Sequence, residues 1–261
     1  IVQRKTLVIS MRPNKDSLKN GVPWSVIIIG IPACLMTLCE NISYAILDNL
    51  MSGVSLSAQA GVGVAKKVNM LAHSLVRGMT QGVLPLIGYN KASGNRKRMK
   101  KVVFLSGAIS IGISAVCMTV SLLLSRELTG LFIHNDIAEE GTISSLAYGS
   151  DFLKILCIGA PFSALAYTVI SFFQAVGKAW RSLILALLRK GIVDIPLMFI
   201  LRIFIPTYGI VWATPIADFI CSVVALILFL VYIKYHGQNK SYFKEAEPEL
   251  DHSAAIEGPA I

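Results

Sequence analysis

Two carboxylates, Glu40 and Asp48, stand inside an apolar stretch, residues 29–50, that reads as the middle of a membrane span. A charge facing lipid is costly, so such a group faces a cavity, pairs with a cation or takes up a proton. At about 100° per residue on a helix, Thr37, Glu40, Asn41, Tyr44 and Asp48 share one wedge. Leu35, Leu38, Ile42, Ile46 and Leu47 mostly fill the remaining arc, for lipid or packing. Glu40 follows Trp24 by 16 residues, about 24 Å along a helix, which places it within the span. Asp48 lies nearer the outer end and either joins the wet face or reaches headgroup water.

Residues 59–81 repeat the pattern with the opposite charge. Gln59, Lys66, Asn69, His73, Arg77, Thr80 and Gln81 hold to an arc of roughly 120°, with Lys67 off it. Lys66 and Arg77 either pair with the carboxylates of the first run or snorkel to an interface. His73 is a satisfied buried imidazole or a proton carrier. Further along, Arg189 and Lys190 precede Asp194, and Asp218 follows Pro215 by three residues in TPIAD. Asp218 either pairs with Lys190 or Arg202 or lines the same aqueous interior as Glu40.

The elements that position these groups follow from composition. Of the 261 residues 54% are hydrophobic and only 15% charged, which excludes an ordinary soluble domain and points to an all-α integral membrane protein. Six windows reach the roughly 20 residues that a bilayer requires: 22–51, 57–88, 102–124, 147–176, 182–205 and 210–235. Each is expected to be a helix, with Pro32, Pro85, Pro161, Pro196 and Pro215 read as kinks inside the spans. Sixteen Lys and Arg fall on the side of residues 1–21, 91–101, 178–181 and 234–244, against three (Arg126, Lys154, Arg202) on the other. By the positive-inside rule both termini are cytoplasmic. Trp24, Tyr89, Trp180 and Tyr235 suit an inner aromatic belt, and Tyr208 and Trp212 an outer one. Residues 1–21 read as a cytoplasmic linker, 22–235 as a six-helix lobe, and 236–261 as a disordered cytoplasmic tail.

Several function classes drop out. The net charge of +9 sits mostly in loops, and no face interleaves Lys and Arg with aromatics as nucleic-acid binding requires. Cys34, Cys39, Cys117, Cys157 and Cys221 lie scattered in apolar runs, without metal-ligand spacing, and read as small core residues. There is no nucleophile elbow, zinc-protease pair or phosphate-binding loop. Wet helix faces without such a constellation suggest transport rather than catalysis, with no cofactor beyond a coupling ion.

The run QGVLPLIGYNKASGNRKRMKK, Gln81 to Lys101, resembles the Q-G-x-x-P-x-x-G-Y-N signature of the multidrug and toxic compound extrusion (MATE) family; Gln81, Gly82, Pro85, Gly88, Tyr89 and Asn90 carry it. FFQAVGKA is similar to the F-Q-A-x-G that ends the fourth helix of that family's C-terminal lobe, through Gln174 and Gly177. LLRKGIVDIP resembles the opening of the fifth through Arg189, with Lys190 in place of Gln. GIVWATPIAD is similar to part of the sixth through Pro215 and Asp218, with Trp212 one place late. Gly30, Pro32 and Glu40 have the spacing of the norfloxacin-extruding branch and its eukaryotic relatives, whose Glu follows the proline by eight residues. That branch often has a further acid in its fourth helix, whereas residues 152–193 contain none, and NKAS replaces N-x-G-A.

The resemblance implies a twelve-helix antiporter of two six-helix lobes around a central cavity, in the cell membrane, the inner membrane of a prokaryote. It would export amphipathic, often cationic drugs in exchange for protons or sodium ions, by alternating access. The chain, which begins with Ile, is then expected to be the C-terminal half, its partners being drugs, membrane lipid and a missing N-terminal lobe. Ionised Glu40 would attract the cationic drug and release it when a proton or cation neutralises the carboxylate. Kinks at Pro32, Pro85 and Pro161 would supply the bending. A lipid-linked sugar flippase, needing a larger basic interior, and a non-transporting half-length membrane protein are the rival readings.

Overall fold

The computed structural model describes residues 22–133 and 143–238. The expected linker 1–21, the tail from 239 and the acidic residues Asp136, Glu139 and Glu140 lie outside them, as do the side chains of Trp24 and Pro32. The described residues form α1 (Val22–Ser52), α2 (Leu56–Gly82), α3 (Leu84–Ala92), α4 (Arg96–Leu123), α5 (Ser125–Gly130), α6 (Ser145–Ile158) and α7 (Ala160–Ala175). After these come α8 (Ala179–Leu187), a π-helical stretch (Leu188–Val193), α9 (Asp194–Phe204) and α10 (Tyr208–Gln238). Each of the six apolar windows coincides with a helix or a broken helix. Among the described residues, two helical stretches, Arg96–Leu123 and Tyr208–Tyr235, are by themselves long and apolar enough to cross a membrane. Helices α6 and α7, bent by 45°, make a third as a broken span.

The breaks correct the expectation that prolines sit within continuous spans. Pro85 and Pro161 occupy the first turns of α3 and α7, where a missing N–H leaves no hydrogen bond unmade. The two windows therefore divide at Val83 and Gly159. Pro215 does lie inside α10. Pro196 has no N–H to give the Ile192 carbonyl, and the wider π turns immediately before α9 accommodate that loss. They also bring two adjacent residues, Arg189 and Lys190, into the interior together.

Lipid tails are as apolar as leucine, so helices in a bilayer associate by close packing of small residues rather than by hydrophobic burial. Helix α2 meets α6 at glycines: a Cβ on Gly61 would lie 2.8 Å from the Gly149 nitrogen and 3.0 Å from the Ser145 carbonyl oxygen. Helix α4 turns buried Ser106, Gly107, Ser110 and Ser114 toward α7, with the Gly107 position 3.4 Å from a Thr168 methyl. Helix α7 ends in a Schellman motif. Gly177 takes φ +71°, its N–H donates to the Gln174 carbonyl (3.0 Å) and that of Lys178 to the Phe173 carbonyl (2.9 Å).

Two larger apolar clusters result among the described residues, beside a small third one of Val76, Ala164 and Tyr167. One, toward the expected outer end, contains Leu47, Met51, Val62, Phe152, Leu156, Met198 and Ile210. The other, at the signature end, contains Ile87, Met99, Phe172, Phe173, Val176 and Tyr232. The charged residues of the spans lie between them or beside them. Cys157 and Cys221 are buried, whereas Cys34 is exposed and Cys39 and Cys117 are partly so; a thiol on an outward helix face is apolar enough for that position, so the core reading holds for only two of the five. Tyr89, Trp180 and Tyr235 are exposed, as a belt requires, while Tyr208 instead packs edge-on to Phe152 at 5.6 Å.

Candidate functional site

Glu40 sits mid-way along α1 and is 8% exposed. Its Oε2 accepts a hydrogen bond from Arg77 Nη2 of α2 at 2.5 Å. Its Oε1 accepts from the Tyr167 hydroxyl of α7 at 3.2 Å and from Arg189 Nη2 at 3.5 Å. The Tyr167 oxygen in turn lies 2.8 Å from Arg77 Nη2 and 2.6 Å from Arg189 Nη2. Both guanidinium groups also lie against the Tyr167 ring, at 5.1 and 4.3 Å from its centre. One phenol thus organises two cations and one carboxylate from three other elements. The expectation of Glu40 opening onto a chamber is not what the lobe displays: the carboxylate is held in ion pairs.

The pairs continue inward. Arg189 Nη1 donates to Asp218 Oδ1 at 3.3 Å, and Ser163 Oγ donates to Asp218 Oδ2 at 2.6 Å. Asp218 was expected to meet Lys190 or Arg202 or to line an aqueous interior; it is 1% exposed and bound to Arg189 instead. The reason is the π stretch, which turns Arg189 toward α7 and α10. Lys190 pairs with Asp194 one turn later (3.1 Å), and Asp194 also accepts from Ser43 Oγ (2.6 Å) and Thr214 Oγ1 (3.2 Å). Arg202 lies near the outer end of α1, 3.6 Å from where a Gly53 Cβ would be.

Toward the expected outer end, Lys66 is paired with Asp48, whose side chain is 41% exposed. Lys66 and Lys190 both lie near the Tyr44 ring, at 5.4 and 5.3 Å. Four carboxylates (Glu40, Asp48, Asp194, Asp218) and four cations (Lys66, Arg77, Arg189, Lys190) therefore balance inside the lobe. Isolated buried charges are expensive, and pairing with supplementary hydroxyl donors is what makes this layer tolerable.

Not every residue of the two polar wedges joins it. Asn41 is exposed, one position past Glu40 and turned outward, and Leu47, read as filling the apolar arc, is fully buried. The inward stripe of α1 is Glu40, Ser43, Leu47, Leu50 and Met51, a normal 3.6-residue recurrence that mixes polar with apolar residues. On α2, Asn69 is buried with its Oδ1 unpartnered, and His73 is half-buried against the edge of Tyr167, 6.1 Å between ring centres. Gln81 is exposed and lines a cavity of about 90 Å³ with Thr37, Arg77, Thr80, Tyr167 and Gln174. That cavity abuts the Arg77 and Tyr167 partners of Glu40, and Arg77 is the more exposed cation of the cluster, its side chain 29% accessible.

The signature residues do structural work at the other end. Lys91 Nζ donates to the Val176 carbonyl at 2.7 Å, joining the end of α3 to the last turn of α7, and Asn90 Nδ2 donates to the Leu86 carbonyl at 2.7 Å. Gly88 lies 3.8 Å from the Ala175 carbonyl by its virtual Cβ, while Tyr89 points outward. Pro215 packs close to Gly159, where a Cβ would lie 3.1 Å from the Pro215 Cα, so that α10 approaches the α6–α7 break closely. Tyr167, Ser43, Ser163 and Thr214 were missed. Only Tyr167 carried a signal, standing seven residues, two turns, before Gln174 on one helix face.

Fold and site together define an all-α membrane protein whose helices enclose a charge-balanced polar layer beside a small polar cavity. Residues 32–200 match the MatE family model, and the chain belongs to that family. It is 28% identical over 230 residues to the multidrug export protein MepA of Staphylococcus saprophyticus, covering 86% of this chain and 48% of that one. It is 30% identical over 207 residues to MepA of Staphylococcus haemolyticus, covering 78% and 43%. The chain thus spans about half the length of the curated relatives it matches. Among solved structures, a MATE in the straight conformation superposes with a TM-score of 0.77 at 17% identity, over 91% of this chain and 52% of that one. The MATE transporter ClbM in complex with Rb+ gives 0.71 at 20% identity, over 82% and 48%. At these identities the structures establish a shared fold.

Proposed function

We propose that the chain is one lobe of a membrane transporter that exports amphipathic, often cationic compounds in exchange for protons or sodium ions by alternating access. Family membership and the export named for MepA support the class. The observation that carries the mechanism is Glu40 shared between Arg77 and Arg189, with Arg77 itself lining the polar cavity. In this reading Arg77, the more accessible partner, occupies Glu40 when no substrate is present. A drug cation entering beside Thr37, Gln81 and Gln174 competes with it for the carboxylate. A proton or sodium ion reaching Glu40 later neutralises it and weakens the hold on the drug. Residues 152–193 carry no acid where the related branch often has one, so in this reading Glu40 alone bears the exchange. A flippase reading finds less support, because Lys66, Arg77, Arg189 and Lys190 each have an acidic partner, which leaves these four cations compensated rather than available to a pyrophosphate.

The test is export by the full-length transporter in vesicles under an imposed proton or an imposed sodium gradient. Glu40→Gln is expected to lower ion-driven export at least about tenfold, equivalent to roughly 1.4 kcal/mol, with Glu40→Asp retaining part of it. Unchanged export with unchanged ion dependence in Glu40→Gln would remove Glu40 from the mechanism.

A further inference from the structure

The cavity beside Arg77 carries more polar equipment than a cation alone would use. Gln81 of α2 and Gln174 of α7 both line it, and Ser171, 6% exposed, lies on the same wall. None of these three side chains has a hydrogen-bond partner among the described residues. Gln81 is exposed and Gln174 half-buried, so the two amides stand nearer the mouth and Ser171 deeper. The remaining polar groups are already engaged: Thr80 Oγ1 donates to the Arg77 carbonyl at 3.1 Å, and Arg77 Nη2 serves both Glu40 and Tyr167. Among the described residues no acid lines the cavity. Its volume of about 90 Å³ has room for a few waters, or for one small substituent of a larger compound. Each free amide offers both N–H donors and a carbonyl acceptor. A cationic group would use only the oxygens and an anion only the donors, whereas a neutral group that donates and accepts uses both and replaces the water it displaces without loss. Gln81 follows Arg77 by four residues along α2, and Gln174 follows Tyr167 by seven along α7. At the rise of a helix the amides therefore stand about 6–10 Å from the groups that hold Glu40, toward the expected cytoplasmic end.

We infer that Gln81 and Gln174 determine specificity by binding a neutral group of the exported compound that both donates and accepts, a carboxamide or its lactam or urea equivalent, about 6–10 Å from the cationic centre that meets Glu40. The inference rests on the transport reading above and names its substrate class: cations that carry such a group at that distance. Met36 and Ile170, on the same wall, cover the apolar atoms that bear the group. Charge and amide recognition are thereby divided between two parts of one site, Glu40 with its arginines and the pair of glutamines. A compound without the group leaves the amides to water at the mouth, so the gain is that of hydrogen bonds in a half-open site, about tenfold in affinity.

The test is equilibrium binding to the purified full-length transporter by scintillation proximity, with three radiolabelled benzyldimethylammonium probes. Their fourth substituent is a pentamethylene chain ending in a primary carboxamide, in an isopropyl group of the same shape, or in a carboxylate. The parent is expected to bind the carboxamide probe about tenfold more tightly than the isopropyl probe. Gln81→Met with Gln174→Met is expected to remove that preference, weakening the carboxamide probe about tenfold and moving the isopropyl probe less than about threefold. Where the double variant does not fold, Gln81→Met at its exposed position is expected to remove about threefold of the preference. Glu40→Gln is expected to weaken the carboxamide and isopropyl probes alike, because it removes the charge and not the amides. Equal affinity of those two probes in the parent would overturn the inference and leave the cation site standing, as would equal loss of both in the glutamine variants. Tighter binding of the carboxylate than of the carboxamide would overturn it too, since Arg77 would then be the recognising group. Binding of none of the three would overturn this inference together with the transport reading.

Discussion

Lys190 and Asp194 offer the most direct measure of whether the buried charges act as pairs. Lys190 is 3% exposed, Asp194 0%, and their charged atoms are 3.1 Å apart. At an effective dielectric constant near 20 their attraction is about 5 kcal/mol. Lys190→Gln removes the cation and leaves a carboxylate in the interior; breaking a buried pair from one side typically costs about 3–5 kcal/mol. The hydroxyls of Ser43 and Thr214 still donate to Asp194, which places the expected loss at the lower end, about 3 kcal/mol. At about 2–4 °C per kcal/mol for a unit of this size, the melting temperature should fall roughly 10 °C. Lys190→Gln combined with Asp194→Asn removes both charges and keeps the hydroxyl contacts. It should recover to within about 1–2 kcal/mol of the parent, and so be about 1–2 kcal/mol more stable than Lys190→Gln alone. The assay is thermal unfolding of the purified full-length transporter followed by intrinsic fluorescence. A double variant no more stable than Lys190→Gln would refute the pairing argument, as would a single variant that melts with the parent.

Two further substitutions probe the scaffold. Gly61→Ala places a Cβ 2.8 Å from backbone at Gly149 and must push α2 from α6, costing about 1–3 kcal/mol and lowering the melting temperature, whereas an undisturbed melt would show that this crossing is looser than described. Gly177→Ala meets no neighbour but forces φ +71° on a residue with a side chain, so a loss of about 1 kcal/mol in the same assay is expected, and Gly177→Asn should recover part of it.

Much of the architecture was readable before any coordinates. Length and polarity of the apolar runs dictated six helical windows, because a backbone in hydrocarbon must satisfy its own hydrogen bonds. Glu40, Arg77 and Arg189 were legible as candidates for a related reason: an ionisable residue in such a run has few fates. Gly177 was found through its motif, and its left-handed backbone explains why glycine stands there.

What only the tertiary structure decided is which charge meets which. Asp218 joined Arg189 rather than Lys190 because a π stretch before Pro196 rotates both basic residues inward, and no helical wheel at 3.6 residues per turn contains that rotation. Tyr167, the residue that touches Glu40, Arg77 and Arg189 together, lies in a run that reads as ordinary apolar helix; its importance arises from three other elements converging on its hydroxyl. Asn41 fell outside the layer and Leu47 inside it, since the packing of neighbouring helices sets the rotation of α1, and one sequence specifies only the angles between its own residues. Local spacing thus determines which residues share a face, while the direction of that face, and the partner waiting there, belongs to the assembled helices.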